Sequence, residues 1–239
     1  MRAAKAVGVF ALALLWHTAT QAQNLAAFSS ATTSVPPAPW RPAAFPKGKI
    51  PATQFDLTEL DGGKVLRMRA DKSYGTLSHP WSGAAKTLSW RWRVDQGLPQ
   101  ADLRTKAGDD SPAKVCVMFD MPLELLPLGE RNSLRLARWV SGEPLPAATL
   151  CYVWDDKLPP GTELANPYTQ RVRAVVLAGG PTQQGQWHSH SRDVAADFVR
   201  AFGHESPTVP PVVAIVVGAD ADNTQGSSKS YVADITLKP

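Results

Sequence analysis

The side chains best suited to chemistry lie in "GADADNTQGSSKSYVADI", Gly218 to Ile235, where Asp220, Asp222 and Asn223 directly follow the apolar run "VVAIVV" and Asp234 returns after a loop of small residues. Three uses fit these residue types. In a turn, short Asp and Asn side chains bond the main-chain groups that a buried strand leaves behind at the edge of its sheet. As a metal site, Asp220, Asp222, Asn223 and Asp234 offer the oxygen ligands that calcium takes. The spacing is not that of an EF-hand, because the glycine, Gly226, comes one place late and the twelfth position from Asp220 is Tyr231 rather than Glu. As carboxylates facing one cleft, they suit acid/base catalysis.

A second acidic pair, Asp109 and Asp110 in "AGDDSPAK", precedes another apolar run. Neighbours on an extended chain point to opposite sides, so these two do not act as a pair on one substrate atom. If their loop meets the Asp220 loop at one end of the fold, the two form a shared polar site. His188 and His190, in "WHSHS", fall on one face of a strand, as zinc or copper requires, with Asp193, His204 or His79 as a third ligand; exposed strand histidines are the alternative. Trp154 and Tyr168, near the ends of apolar runs, supply flat rings for stacking on a sugar, and Arg91 and Arg93 are available to an acidic ligand. No nucleophile elbow, zinc-protease helix, phosphate loop, C-x-x-C or dinucleotide fingerprint occurs.

These residues are carried on short runs that alternate with period two. In "KTLSWRWRV", Leu88, Trp90, Trp92 and Val94 take one face and Ser89, Arg91 and Arg93 the other, which predicts a half-buried strand. Similar runs, among them 53–60, 74–79, 113–120, 149–155, 171–178, 186–191, 212–218 and 230–237, give eight to ten strands with no βα alternation. The expectation is an all-β protein: an antiparallel, jelly-roll-like β-sandwich of the galactose-binding, carbohydrate-binding-module kind. Two segments break the pattern. "SRDVAADFVRAFG" predicts a helix capped by Ser191 or Asp193, and "GERNSLRLARWVSG" a short helix with Arg131, Arg135 and Arg138 along one face.

The first 22 residues, with Arg2 and Lys5 ahead of an apolar run, read as a secretory signal cut after Ala22; the run is about half of the roughly 20 residues a membrane-spanning helix requires. Residues 23–51, rich in Ala, Ser, Thr and Pro, read as an extended lead-in, and 52–239 as one sandwich domain. The mature chain is expected in the periplasm or outside the cell, with no transmembrane segment. Without Arg2 and Lys5, 25 basic residues become 23 against 21 acidic, so the formal charge falls from +4 to +2. That is too little to mark a nucleic-acid protein. Cys116 and Cys151 lie in two strand-like runs. They form either a bridge, which on the chain-entropy model adds about 4 kcal/mol for a loop of this length, or two small buried hydrophobes.

The ordered set "LSWRWRVD", "AGDDSPAKVCVMF", "GEPLPAATLCYVWD", "SRDVAADFVRAFG" and "VGADADNTQGSSKSYVADI" resembles the exported bacterial family of unknown function numbered 3047, from about Phe55 to Leu237. The resemblance implies no activity. It marks Asp109, Asp110, Trp154, Asp193, Asp197, Asp220, Asp222 and Asn223 as family-type positions, and the two cysteines as a departure from the family's pattern. The expected function is binding of a glycan or cell-envelope component through loops, with calcium as a structural ion. The alternatives are a glycosidase-like hydrolase using paired carboxylates, and an envelope assembly protein that holds a partner through its lead-in or its arginine face.

Overall fold

The structure, a computed structural model, describes residues 24–43 and 50–238 apart from the side chain of Asp234. The expected signal segment and that one calcium candidate therefore lie outside the described residues. Twelve strands are seen among the described residues: β1 (Arg41–Pro42), β2 (Gln54–Leu60), β3 (Gly63–Asp71), β4 (Tyr74–Gly83), β5 (Thr87–Gln96), β6 (Ser111–Phe119), β7 (Ala148–Trp154), β8 (Glu163–Asn166), β9 (Thr169–Ala178), β10 (His188–Asp193), β11 (Val212–Asp220) and β12 (Ser227–Lys238). They form a jelly-roll-like sandwich of a seven-stranded sheet, in the order β1-β4-β11-β6-β7-β9-β8, and a five-stranded sheet, in the order β10-β5-β12-β3-β2. All pairs are antiparallel except β7 with β9, because the chain leaving β7 runs back through β8, on the far side of β9, and turns into β9 at the starting end of β7.

Strand alternation decides which side chains meet between the sheets. Leu88, Trp90, Trp92 and Val94 of β5 point inward, as their spacing predicts, against Val115, Val117 and Phe119 of β6, Leu150, Tyr152 and Trp154 of β7, and Ile215 and Val217 of β11. Most of the intervening residues of β6, β7 and β11 are apolar too: Cys116, Cys151, Val153 and Val216 form a second cluster on the outer face of the seven-stranded sheet. Cys116 and Cys151 are register partners on β6 and β7 and are joined by a disulfide.

Two helices complete the fold. Helix α2 (Val194–Phe202) is capped by Asp193, whose carboxylate accepts from the N–H groups of Ala195 and Ala196 at 3.1 and 2.9 Å. Phe198 and Phe202 are fully buried in the core, and the Phe198 ring lies 4.6 Å from Phe119. Asp193→Ala is expected to cost about 1 kcal/mol, the usual worth of an N-cap, measured by urea unfolding; a loss below a few tenths would show the helix held by its phenylalanines alone. Helix α1 (Leu128–Ser141) ends at Gly142, whose φ of 71° is a left-handed value that glycine adopts without strain.

The lead-in differs from the extended segment its composition suggests. Leu25, Phe28 and Trp40 are buried in the main core, the Trp40 indole donates to Ala26 O at 2.8 Å, and its ring stands edge-on to His79 at 5.0 Å. Three large apolar side chains among many small ones are enough to bring it down onto the sandwich.

Candidate functional site

The outer face of the seven-stranded sheet carries a groove of about 590 Å³. Its floor is aliphatic, formed by the disulfide, Met118, Val153, Val172 and Val216. Its two ends differ. At one, where β7 begins, lie Leu145 and Thr149. At the other, where β7 and β11 end and β6 begins, the two acidic loops meet, as a shared site requires.

That polar end is held together by its own side chains. Asp110, 1% exposed, accepts from the main-chain N–H groups of Asn223 (3.1 Å) and Thr224 (2.6 Å), from the Thr224 hydroxyl (2.6 Å) and from Asn223 Nδ2 (3.3 Å). Asn223 Nδ2 also donates to Asp109 O, and its Oδ1 accepts from the Tyr168 hydroxyl at 3.1 Å. Asn166 Nδ2 donates to Asp109 Oδ2 at 2.6 Å. Asp220 accepts from Ser111 N at 2.9 Å and from Lys114 Nζ at 2.6 Å; Lys114 lies 4.9 Å over the ring of Tyr74.

The electrostatics follow from crowding four carboxylates at the end of an apolar floor. Burial raises Asp109 and Asp222 above the ordinary carboxylate range, and neighbouring Asp220 and Asp110 raise both further. Burial pushes Asp220 up as well, and Lys114 is the group that opposes it. Burial would lower the Lys114 ammonium, but Asp220, Tyr74 and Asp109 together outweigh this and hold it protonated well above its usual value.

Asp110, Asp220 and Asp222 each bring one carboxylate oxygen to within 4.8 Å of the others. Most of this set is already engaged by the protein's own groups. Asp110 is saturated by four hydrogen bonds, Asn223 has both ends of its amide engaged, and a lysine ammonium already neutralises Asp220. Asp222 Oδ1 is the one buried carboxylate oxygen of the trio with no hydrogen bond.

The remaining predicted residues part company with the site. Trp154 is fully buried in the core and donates to Asp156 at 2.8 Å, so it cannot stack on a ligand. Arg91 and Arg93 belong to the five-stranded sheet, across the core from the groove. Arg91 lies 4.8 Å over the Trp187 ring, and Arg93 pairs with Asp95 and Asp61. The family-type Asp197 is structural: it lies within α2 and accepts from Tyr152 and Arg192. The histidines do not converge: His190 packs against Trp90 and Trp92, where burial lowers its pKa to about 4, and His188 packs against Trp154. Arg131 and Arg138, expected to hold a partner, donate to carbonyls of adjoining loops.

Lys114, Tyr74 and Asn166 were missed as site residues. A lone lysine inside "AKVCVMF" beside an acidic pair is a readable signal for the first; nothing in "ANPY" announces Asn166.

The model of a family of proteins of unknown function, DUF3047, matches residues 38–236. No curated protein matches the chain. Among solved structures, the K2 cleaved adhesin domain of Lys-gingipain overlaps at a TM-score of 0.41 and 10% identity, over 91% of this chain and 100% of that one. The xyloglucanase domain of NopAA, a type three effector from Sinorhizobium fredii, gives 0.40 and 10%, over 84% and 99%. TmCBM61 in complex with β-1,4-galactotriose gives 0.34 and 9%, over 84% and 88%. At these scores no ligand or activity passes from those proteins to this chain.

Proposed function

We propose that this chain, which belongs to the DUF3047 family of proteins of unknown function, is an exported binding protein that takes a glycan or a glycan-bearing cell-envelope component in the groove of its seven-stranded sheet. One observation carries the reading. Asp109, Asn166, Tyr168 and Asp222, from three separate segments, line one end of a single groove, and hydrogen bonds fix Asp109 to Asn166 and Tyr168 to Asn223 there. A site whose polar groups are already ordered spends little entropy on binding, and an apolar floor with a few converging polar groups is the usual form of a ligand site. Tyr168, 57% exposed, offers its ring for stacking. The disulfide suits an oxidising compartment, and among the described residues no helix is long and apolar enough to cross a membrane.

Calorimetric titration of the mature protein with a panel of neutral oligosaccharides and envelope glycans tests this. At least one should bind, and Tyr168→Ala and Asn166→Ala should each weaken that binding about tenfold, or about 1.4 kcal/mol, while Arg91→Ala on the other sheet leaves it unchanged. Binding that is indifferent to Tyr168 and Asn166 would remove the groove from consideration.

A hydrolase is the second reading, favoured by the raised Asp109 and Asp222. A shift in this direction, set by burial and neighbouring carboxylates, is the one a general acid needs. Cleavage of the bound glycan by the parent and not by Asp222→Asn, followed by mass spectrometry, would move the assignment there.

A further inference from the structure

We infer that helix α1 is a docking surface for a bilayer containing anionic phospholipid. The helix turns Leu134 into the core and leaves Leu136, Trp139 and Val140 exposed at 60%, 81% and 63%; Leu128, two turns earlier, is 72% exposed. Positions i, i+3, i+4 and i−8 share one face, so these four side chains form an apolar strip, broken by Gly129 and Asn132, where a surface helix ordinarily carries polar residues.

The charge beside the strip has one sign. Arg131, Arg135 and Arg138 run along its border at helical spacing. Arg131 and Arg138 are anchored by bonds to Glu124 O, Leu126 O and Leu145 O, which fixes their positive charge at the edge of the face, and Arg135 is exposed. The one acid within the helix, Glu130, is drawn to the other side by Arg171 at 2.7 Å.

An apolar strip centred on tryptophan and bordered by arginine matches the interface of an anionic membrane, where the rings enter the headgroup boundary and the guanidinium groups meet phosphate. A second copy of the chain would bring a like-charged border against this one. Position adds to the argument: Arg138 ties the end of the helix to Leu145, which lines the apolar end of the groove away from Asp109. Docking through α1 would therefore present that end of the groove to the bilayer. The inference does not depend on what the groove binds.

The test is co-sedimentation of the mature protein with vesicles of mixed phosphatidylglycerol and phosphatidylethanolamine, and with vesicles of phosphatidylcholine alone, with light scattering of the protein by itself. The expected result is partitioning onto the anionic vesicles that weakens with salt, falls about tenfold in Trp139→Ser, and falls in Arg135→Glu on anionic but not on neutral lipid. Both positions are exposed, and unchanged unfolding midpoints would confirm that the variants fold. Failure to bind anionic vesicles, equal binding by Trp139→Ser, or self-association lost in Trp139→Ser without vesicle binding would each overturn the inference, the last in favour of a second copy as the occupant.

Discussion

Lys114→Met should lose about 3–5 kcal/mol of stability, which for a domain of this size lowers the unfolding midpoint by about 10 °C. The substitution keeps the aliphatic stem that packs along the groove but removes the ammonium 2.6 Å from Asp220, leaving a carboxylate with an 8% exposed side chain and only the Ser111 N–H to answer it. The sign of the pH dependence follows from the direction of the Asp220 shift. Burial already raises this carboxyl, and without Lys114 it rises further, so the folded variant holds a proton that the unfolded chain releases. Stability from that proton is complete below the unfolded carboxylate value near pH 4 and is lost as pH rises through the folded one. The deficit of Lys114→Met against the parent should therefore be small in mild acid and full at neutral pH. Adding Asp220→Asn should restore much of the neutral-pH loss. A deficit under about 1 kcal/mol and flat with pH in urea titrations would mean that the pair contributes little.

The second large effect is expected at Asp110. Two terms oppose each other in Asp110→Ala. Removing one of three clustered carboxylates relieves repulsion on Asp220 and Asp222, whereas four donors on Asn223 and Thr224 lose their acceptor. Bonds to a charged acceptor are worth about 1.5–3 kcal/mol each, and a donor left buried without a partner costs about 1–3. The donors outnumber the relieved contacts, so a net loss of about 3 kcal/mol is expected, with groove binding lost alongside it because Asn223 no longer supports Tyr168 and Asp109. Asp110→Asn, which keeps an acceptor oxygen, should fall between. Unfolding and calorimetry on the same samples check both parts, and a variant as stable as the parent would show that repulsion governs the cluster.

The legible and the illegible parts of this fold differ for physical reasons. Where one face of a strand meets the core and the other meets water, the sequence alternates, and "KTLSWRWRV" reveals β5 and the direction of each of its side chains. Where both faces are covered, as in "AKVCVMF" and "TLCYVW", alternation vanishes, so the groove floor is indistinguishable from the core and Trp154 reads as a candidate for the surface when it belongs inside. The polar loops were legible as residue types. Their meeting depends on β6 and β11 being hydrogen-bonded neighbours, a pairing across about a hundred residues of chain that no local pattern records. Arg91 and Arg93 show the converse: their outward direction is readable, but which sheet they sit on is not.

The order of strands within each sheet also bears on when the protein can fold. β12, the last strand, lies between β5 and β3 in the middle of its sheet, and β11 lies between β4 and β6 in the middle of the other. Until the stretch from Val212 to Lys238 has been made, each sheet is two unconnected halves with open edges. Neither sheet can close before β11 and β12 are available, and dominance by distant pairings makes the final collapse slow. The placement of β11 and β12 therefore leaves both sheets open-edged until these two strands insert.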